Sequence, residues 1–345
     1  MLPVITETTL AFWCLTLTAC LSANPLPLTG AEGAISTTPA TVTNAQSSAS
    51  GTNVSAFPGF PRSPKDGLET QIALARSGFS SGSIDGVMGP QTRSALRAFQ
   101  GSRHLPVTGE IDAATRQALQ LESPPLTNYV ITSNELARLQ PLSATWMGKS
   151  LQTALEFESP LELAAESCCA SPRLMLRLNP SLDWTNISAG TIYTGPDATN
   201  RCTAAKASLL VIALTNRTLT VFDAQTNMLA HFPCSIAQRV EKRPAGELHV
   251  VAIAPNPNYT FDPKVFPESV EAQQIKSKLI LPPGPNNPVG AAWISLDLEG
   301  YGIHGTPLPE QVGRTESHGC FRLANWNAAW LVNAVSIGTP VIVEP

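Results

Sequence analysis

The sequence is poor in the features that nucleic-acid-binding and membrane-spanning proteins require. Lysine and arginine number 22 against 26 aspartates and glutamates, a net charge of -4, and the basic residues nowhere cluster. Without a basic patch to displace counterions from phosphates, a nucleic-acid partner is excluded. No apolar run reaches the roughly 20 residues that a bilayer crossing needs. What the chain does have is apolar residues, 43% of the total, enough to exclude wholesale disorder. Its 345 residues suit two or three domains rather than one.

The stretch TLAFWCLTLTAC (9–20) has the length of a signal peptide and ends in small residues. Leu17-Thr18-Ala19-Cys20 resembles the lipobox of bacterial lipoproteins, in which the cysteine is lipidated and becomes the mature N-terminus. No lysine or arginine precedes the run, and Glu7 stands just before it, which departs from the pattern. A buried N-terminal helix is the alternative. Export is preferred because the low-complexity tail behind such a helix leaves it nothing to pack against. Acyl chains on Cys20 would anchor the protein to a membrane, each buried methylene contributing roughly 0.8 kcal/mol. Seven cysteines are present, at 14, 20, 168, 169, 202, 234 and 320. An exported protein can form disulfides. Cys168 and Cys169 are adjacent and poorly placed to bridge each other. A Cys202–Cys234 pair is open, and the sequence does not decide it.

Residues 21–66 are rich in Ser, Thr, Ala, Pro and Gly, the composition of a flexible linker with stiffer proline stretches. Residues 67–121 contain a short repeat: Gly86 and Gly109 are each followed, after five residues, by Thr-Arg-x-Ala-Leu. Pro90 suits the first turn of one helix and Asp112 the cap of another. Leu68, Ile72, Ala75 and Phe79 have helical spacing. Three short helices around Ile72, Leu96, Phe99 and Leu119 are expected, and GSIDGVMGPQTRSALRAFQ resembles the small three-helix peptidoglycan-binding domain. A helical spacer without a ligand is the alternative. Residues 128–200 resemble a diverged LysM module, with two apolar helix faces (Leu161, Leu163, Ala164; Met175, Leu176, Leu178). Asn179-Pro180 ends the second helix, and AGTIYTGP closes as a strand in a β-α-α-β layout.

Residues 207–345 form the largest unit. SLLVIAL and TLTVFDA are strands around a turn at Thr215-Asn216-Arg217; LHVVAIA, AAWISL and TPVIVEP are further strands. Asn325 to Ile337 reads as a helix with Ala328, Leu331, Val332 and Val335 on one face, stopped by Gly338. Strands dominate, which predicts a mostly β domain of sandwich or barrel-like form. The whole chain thus reads as multidomain: all-α, then small α+β, then mostly β.

The chemistry concentrates in IHGTPLPEQVGRTESHGCFRL (303–323). A cysteine with an ordinary pKa of roughly 8.5 needs a neighbour to be a good nucleophile near neutrality. A histidine close in space can take the proton and return it. Backbone N–H groups beside glycines such as Gly305 and Gly319 can serve an oxyanion, and Arg322 can hold a carboxylate. A zinc site from His304, His318 and Cys320 is disfavoured: His318 and Cys320 are only two apart and no fourth ligand stands out. A purely structural reading must place two histidines, an arginine and a thiol together by accident.

His304-Gly305-Thr306 followed by Ser317-His318-Gly319-Cys320-Phe321-Arg322 closely resembles the signature of the bacterial L,D-transpeptidases, the YkuD-type catalytic domain. LPPGPNNPVGAAWISL (281–296), Asn325-Trp326 and GTPV (338–341) resemble this family too. Phe321 departs from it, standing where an aliphatic residue is usual. The resemblance implies Cys320 as nucleophile and His304, 16 positions earlier, as general base and acid, oriented through the carbonyl of Gly305. His318 and Gly319 would shape the oxyanion pocket with the Cys320 amide; Ser317 would hydrogen-bond in the site and Arg322 would contact substrate carboxylates. Trp293, Tyr301 and Asn287 are candidates for lining the cleft, with core packing the preferred reading of the two aromatics. The implied reaction is acyl transfer on peptidoglycan stem peptides through a thioester on the third residue, with release of D-alanine. Water as acceptor would make the enzyme an L,D-carboxypeptidase, and a lipoprotein lysine would make it a lipoprotein-to-murein ligase. No metal or organic cofactor is implied. Partners are stem peptides and glycan, with the membrane reached through Cys20. The expected place is the cell envelope, the protein being exported to the periplasm and anchored to the outer membrane. A non-catalytic wall-binding lipoprotein and a cysteine peptidase acting on protein are the rival readings.

Overall fold

The computed structural model describes residues 57–198, 206–266, 269–315 and 319–345. The leader, the lipobox with Cys20, most of the linker, Cys202, Ser317 and His318 lie outside the described residues. Among the described residues no helix is long and apolar enough to cross a membrane.

Local chemistry sets the first helices. Asp66 caps α1 (Gly67–Arg76) by accepting the Glu69 N–H. Pro90 opens α2 (Pro90–Ser102), where its missing N–H leaves no helical bond unmade. Asp112 caps α3 (Ala113–Ala118) by accepting the Thr115 N–H. The two glycines of the repeat, Gly86 and Gly109, have φ of 81° and 73°, a left-handed conformation open to glycine at little cost. Ile72, Leu96, Phe99 and Leu119 are buried together, and Phe79 meets Phe99 edge-on at 5.6 Å. Residues 57–66, read above as the end of the linker, pack on this domain. Arg62 exchanges backbone hydrogen bonds with Leu121 (3.1 and 2.8 Å), and its guanidinium pairs with Glu69.

The next segment runs β1 (Leu126–Val130), α4 (Ser133–Arg138), α5 (Trp146–Ser150), α6 (Pro160–Ser167), α7 (Pro172–Leu178) and β2 (Ile192–Pro196). β1 and β2 pair antiparallel, so α6 and α7 sit inside a β-α-α-β frame, with α4 and α5 inserted. Asn179 ties the end of α7 to β2: its amide donates to Met175 O and Thr194 O and accepts from Thr194 N–H. This module and the three-helix domain share one core, in which Ile72, Leu74 and Phe99 join Leu174, Met175, Trp184 and Tyr193. Neither short unit covers its own apolar face, so the two bury against each other. Arg76 fastens them, donating to the Ser123, Pro124 and Asp197 carbonyls and pairing with the Asp197 carboxylate at 2.9 Å.

The strands β3 (Leu209–Ala213), β4 (Thr218–Phe222), β5 (Met228–Pro233) and β6 (Gly246–Pro255) are followed by a small hairpin: β7 (Tyr259–Phe261), α8 (Val270–Gln274) and β8 (Leu279–Leu281). Then come β9 (Ala292–Leu296), β10 (Gly302–His304), β11 (Phe321–Arg322), α9 (Asn325–Ala334) and β12 (Pro340–Glu344). Eight strands form one sheet in the order β11-β10-β9-β6-β12-β3-β4-β5. Ser235, just past β5, exchanges two 2.9 Å backbone hydrogen bonds with Arg322 of β11, so the two ends of the sheet meet and the barrel-like form is closed. Alternate residues point inward: Leu210, Ile212, Leu219, Val221, Ile294, Ile303, Phe321 and Val341 fill the interior, with Ala328 and Leu331 of α9. The helix ends at Ala334, earlier than Ile337. Val335 is already extended, and Gly338 (φ 88°) serves the following turn, where its N–H reaches Val250 O.

The α-helical part is docked on this barrel. Ser80 N–H donates to His231 O (2.8 Å) and His231 N–H to Gly78 O (3.0 Å), which covers the exposed edge of β5. Asn327 donates to Ser80 Oγ and Gln91 to Val312 O. The inserted α5 lays Trp146 on Phe261 of the small hairpin, ring centroids 4.3 Å apart and 16° from parallel. Cys168, Cys169 and Cys234 carry unbridged thiols.

Candidate active site

The pairing of β10 with β11 builds the site. The two strands are parallel, with Ile303 beside Phe321 and His304 beside Arg322. Residues two apart share a face, so Ile303, Phe321 and Leu323 point into the core, fully buried. Cys320, Arg322 and His304 are left on the opposite face. Phe321, the departure noted in the sequence, therefore sends its ring into the core and away from the thiol. Extending the register by two residues sets Cys320 beside Gly302, a diagonal neighbour of His304.

His304 is buried, and its Nδ1 lies 2.6 Å from the Gly305 carbonyl oxygen. A carbonyl only accepts, so Nδ1 carries the proton and Nε2 keeps a lone pair. Burial pulls the imidazole down to about 4, against the Gly305 hydrogen bond, with Arg322 adding to the fall. It is thus neutral at neutral pH. Trp293, paired with His304 across β9 and β10, stacks on the imidazole at 5.5 Å and 23°. Its own N–H is held by Ser295 Oγ at 2.7 Å. Trp293 thus forms one wall of the imidazole site, where the sequence alone favoured core packing.

Cys320 is half-buried, and its thiol donates to Gly300 O at 3.4 Å. Burial pushes the thiol above its ordinary value, opposed by a hydrogen bond from the Gly302 backbone and by the charge of Arg322. Arg322 acts on both Cys320 and His304, and burial lowers its own pKa. Gly319 leaves open space beside it: among the described residues, a Cβ there would meet only Tyr301 Cε1, at 3.9 Å. Tyr301 is held by Lys242 O. Tyr259 of β7 feels the Cys320 charge, with burial the main cause pushing its phenol up to about 12. The small hairpin therefore lies within electrostatic reach of the thiol, a relation that its sequence gave no sign of.

Asn287 does not line a cleft. It is fully buried, donates to Pro282 O and accepts from Val289 N–H, closing the loop before β9. Asn325, at the start of α9, carries more of the architecture than its place in the sequence suggests. Its Oδ1 accepts the Ala291 N–H (3.1 Å) and its Nδ2 donates to Pro285 O (3.1 Å). The same Oδ1 abuts Gly305 and Gly290, where any Cβ would overlap it. That contact, rather than a turn, requires glycine after His304.

Two stretches of the chain match known families. Residues 207–343 match the family described as the L,D-transpeptidase catalytic domain, YkuD, and residues 65–119 match the "Putative peptidoglycan binding domain". The "Putative L,D-transpeptidase YkuD" of Bacillus licheniformis is 27% identical over 185 residues, 54% of this chain and 93% of its own length. The "Putative L,D-transpeptidase YqjB" of Bacillus subtilis is 35% identical over 105 residues, 29% of this chain and 51% of its own. The "Probable L,D-transpeptidase YbiS" of Escherichia coli is 27% identical over 199 residues, 54% of this chain and 61% of its own. Among solved structures, an L,D-transpeptidase from Mycobacterium smegmatis aligns with a TM-score of 0.32 at 23% identity, over 45% of this chain and 66% of that one.

Proposed function

We propose that this protein is an enzyme that cross-links peptidoglycan stems through a Cys320 thioester, a reading supported by the match of residues 207–343 to the L,D-transpeptidase catalytic domain family and of residues 65–119 to a peptidoglycan-binding domain. The observation that carries the reading is the Nδ1 contact of His304 with Gly305 O, which leaves Nε2 basic on the face of the sheet that also bears Cys320. As substrate docks, Nε2 takes the thiol proton and sulfur attacks the carbonyl of the third stem residue. The bond to the terminal D-alanine breaks and its amine leaves with the proton from His304. An amine of a second stem then attacks the thioester and gives a proton to His304, which passes it to the sulfur as the thiol leaves. The backbone N–H of Cys320, with Gly319 and His318, would serve the oxyanion, Ser317 would hydrogen-bond in the site, and Arg322 would hold a stem carboxylate. Each of these roles is part of the proposal. So are a glycan-holding, LysM-like role for residues 128–200, export, and outer-membrane anchoring through Cys20.

The test is mass spectrometry of products from residues 57–345 and disaccharide-tetrapeptide, with Cys320→Ala and His304→Ala alongside. A dimer lighter than two monomers by one D-alanine, absent in both variants, supports cross-linking. Tripeptide alone would point to carboxypeptidase activity instead. Intact substrate with wild-type protein would remove stem chemistry and leave a protein acceptor or wall binding alone.

A further inference from the structure

The loop that joins His304 to Cys320 is held from outside its own domain. Resting on the reading proposed above, we infer that Gln91 of the three-helix domain is a positioning residue for the catalytic centre. The contact falls on one peptide group, that between Val312 and Gly313. Its carbonyl accepts from Gln91 Nε2 at 2.6 Å, and its N–H donates to Ser235 Oγ at 2.9 Å. A trans peptide points these two groups in opposite directions, so a different domain grips each side of it. Val312 is buried, and with Ser235, Thr306 and Arg322 it lines one tight pocket. Ser235 is itself bonded to the Arg322 backbone through two 2.9 Å hydrogen bonds, two residues beyond Cys320, while Thr306 stands two residues past His304. The clamped peptide therefore bears on both ends of the loop.

The shape around Gln91 agrees with its hydrogen bond. The residue sits in the first turn of α2, where a glutamine is ordinarily solvated. Here its amide lies between two glycines. A Cβ on Gly313 would stand 2.7 Å from Gln91 Nε2, and one on Gly82 would stand 3.0 Å from Gln91 Oε1. Both glycines are left-handed, with φ of 72° and 81°, and Pro233 at the end of β5 flanks both. The slot is thus built by the three-helix domain, the sheet edge and the catalytic loop together. With the Val312 carbonyl released, the peptide can turn, the Gly313 N–H loses its aim at Ser235, and Val312 loosens against Thr306 and Arg322. Arg322 shares a face with Cys320 and His304, so the displacement reaches the reacting groups. Misplacement by about 1 Å costs up to roughly a hundredfold in rate, and a contact one layer further out is expected to cost about tenfold.

The experiment compares wild type, Gln91→Glu and Ser94→Ala. Gln91→Glu keeps the size of the side chain and sets an acceptor, in place of the donor, against Val312 O. Ser94→Ala removes another bond from the same helix to the catalytic domain, that of Ser94 Oγ with His231 Nε2 at 3.3 Å, and leaves the loop untouched. Gln91→Glu should lower kcat on disaccharide-tetrapeptide about tenfold, and Ser94→Ala should stay within about twofold of wild type. In parallel, amide hydrogen exchange read by NMR follows the Gly313 N–H without any turnover. It should exchange about tenfold faster in Gln91→Glu than in wild type, and at the wild-type rate in Ser94→Ala. An inactive wild type would sink the proposed reaction, while the exchange still decides whether Gln91 holds the loop. An unchanged Gly313 exchange rate in Gln91→Glu would overturn the inference, as would an unchanged kcat. An equal loss of kcat in Ser94→Ala would overturn it too, by tracing the effect to domain docking as a whole.

Discussion

The thiol and imidazole of this centre rest as a neutral pair, and the alkylation of Cys320 reads that state. In many thiol enzymes a low-pKa cysteine shares its proton with a histidine and stands as thiolate across a broad pH range. Here both partners are displaced the other way. Burial pushes the Cys320 thiol above its ordinary value, and burial draws His304 from 6.5 down to about 4. The displacement of His304 alone sets on the order of 3 kcal/mol against an imidazolium at rest, at about 1.4 kcal/mol per pH unit. Alkylation by iodoacetamide follows the thiolate fraction. Read by mass spectrometry of the peptide that carries Cys320, its rate should rise about tenfold per pH unit from pH 6 to 8, roughly a hundredfold in all. His304→Ala should keep the same slope. A rate that is flat between pH 5 and 8 in wild type, and loses that plateau in His304→Ala, would refute the neutral pair and require a resting ion pair.

Gly305→Ala places a Cβ onto Asn325 Oδ1; overpacking of this kind costs about 1–3 kcal/mol, so a lowered Tm and a loss of kcat of at least tenfold are expected, read by calorimetry and product analysis. Acid should destabilise the fold through two buried histidines, His231 and His304. Burial draws His231, like His304, down to about 4, with Arg97 adding to the shift. The unfolded chain then binds the extra protons, so each contribution, on the order of 3 kcal/mol, is present above about pH 6.5 and lost as the pH falls toward 4. Burial raises Glu166 to about 7, which has the opposite sign: its contribution is present below about 4.5 and lost as the pH rises to 7. Urea unfolding at pH 7, 5.5 and 4.5 should therefore show a fall with acid in wild type and a steeper one in Glu166→Gln. Gly78→Ala puts a Cβ 2.5 Å from Leu229 O at a left-handed position (φ 92°), straining the docking of the helical domain. Turnover of soluble stem fragments should survive while cross-linking of intact sacculi falls; equal turnover on both substrates would show that docking has no role in wall recognition.

Much of the site was legible because its chemistry is local in sequence. His304-Gly305-Thr306 and Gly319-Cys320-Phe321-Arg322 each lie on or beside a strand, and strand alternation alone puts Cys320 and Arg322 on one face. The first turn at Pro90, the cap at Asp112 and the turn before β4 likewise depend on neighbours a few residues away. The barrel closure was not legible. It rests on one backbone pair, Ser235 with Arg322, and backbone groups leave no mark in the side-chain pattern. The same holds for the shared core of the helical domain and the following module. Met175, Leu176 and Leu178 read as a helix face, but Leu174 and Met175 are the residues buried and Leu176 is exposed, because a face read from spacing does not say what covers it. Trp293 was visible as an aromatic on a strand, yet only the β9–β10 register puts it on His304.

The hidden contacts share a direction, which changes how the domains cooperate. A chain of wall-binding modules on a tether would raise the local concentration of an enzyme and leave its orientation open. From residue 57 onward this protein is built otherwise. The three-helix domain is bonded to the edge of β5 through Gly78 and Ser80 and to α9 through Asn327. The module behind it supplies Trp146 on the small hairpin, and Glu162 at the loop that also holds Asn325. A surface that grips the wall in these modules would hold the thiol at a fixed height and angle above it. Such an arrangement favours strands that arrive in one geometry, so selection among stems would come from the rigid docking of the modules as much as from the side chains around Cys320.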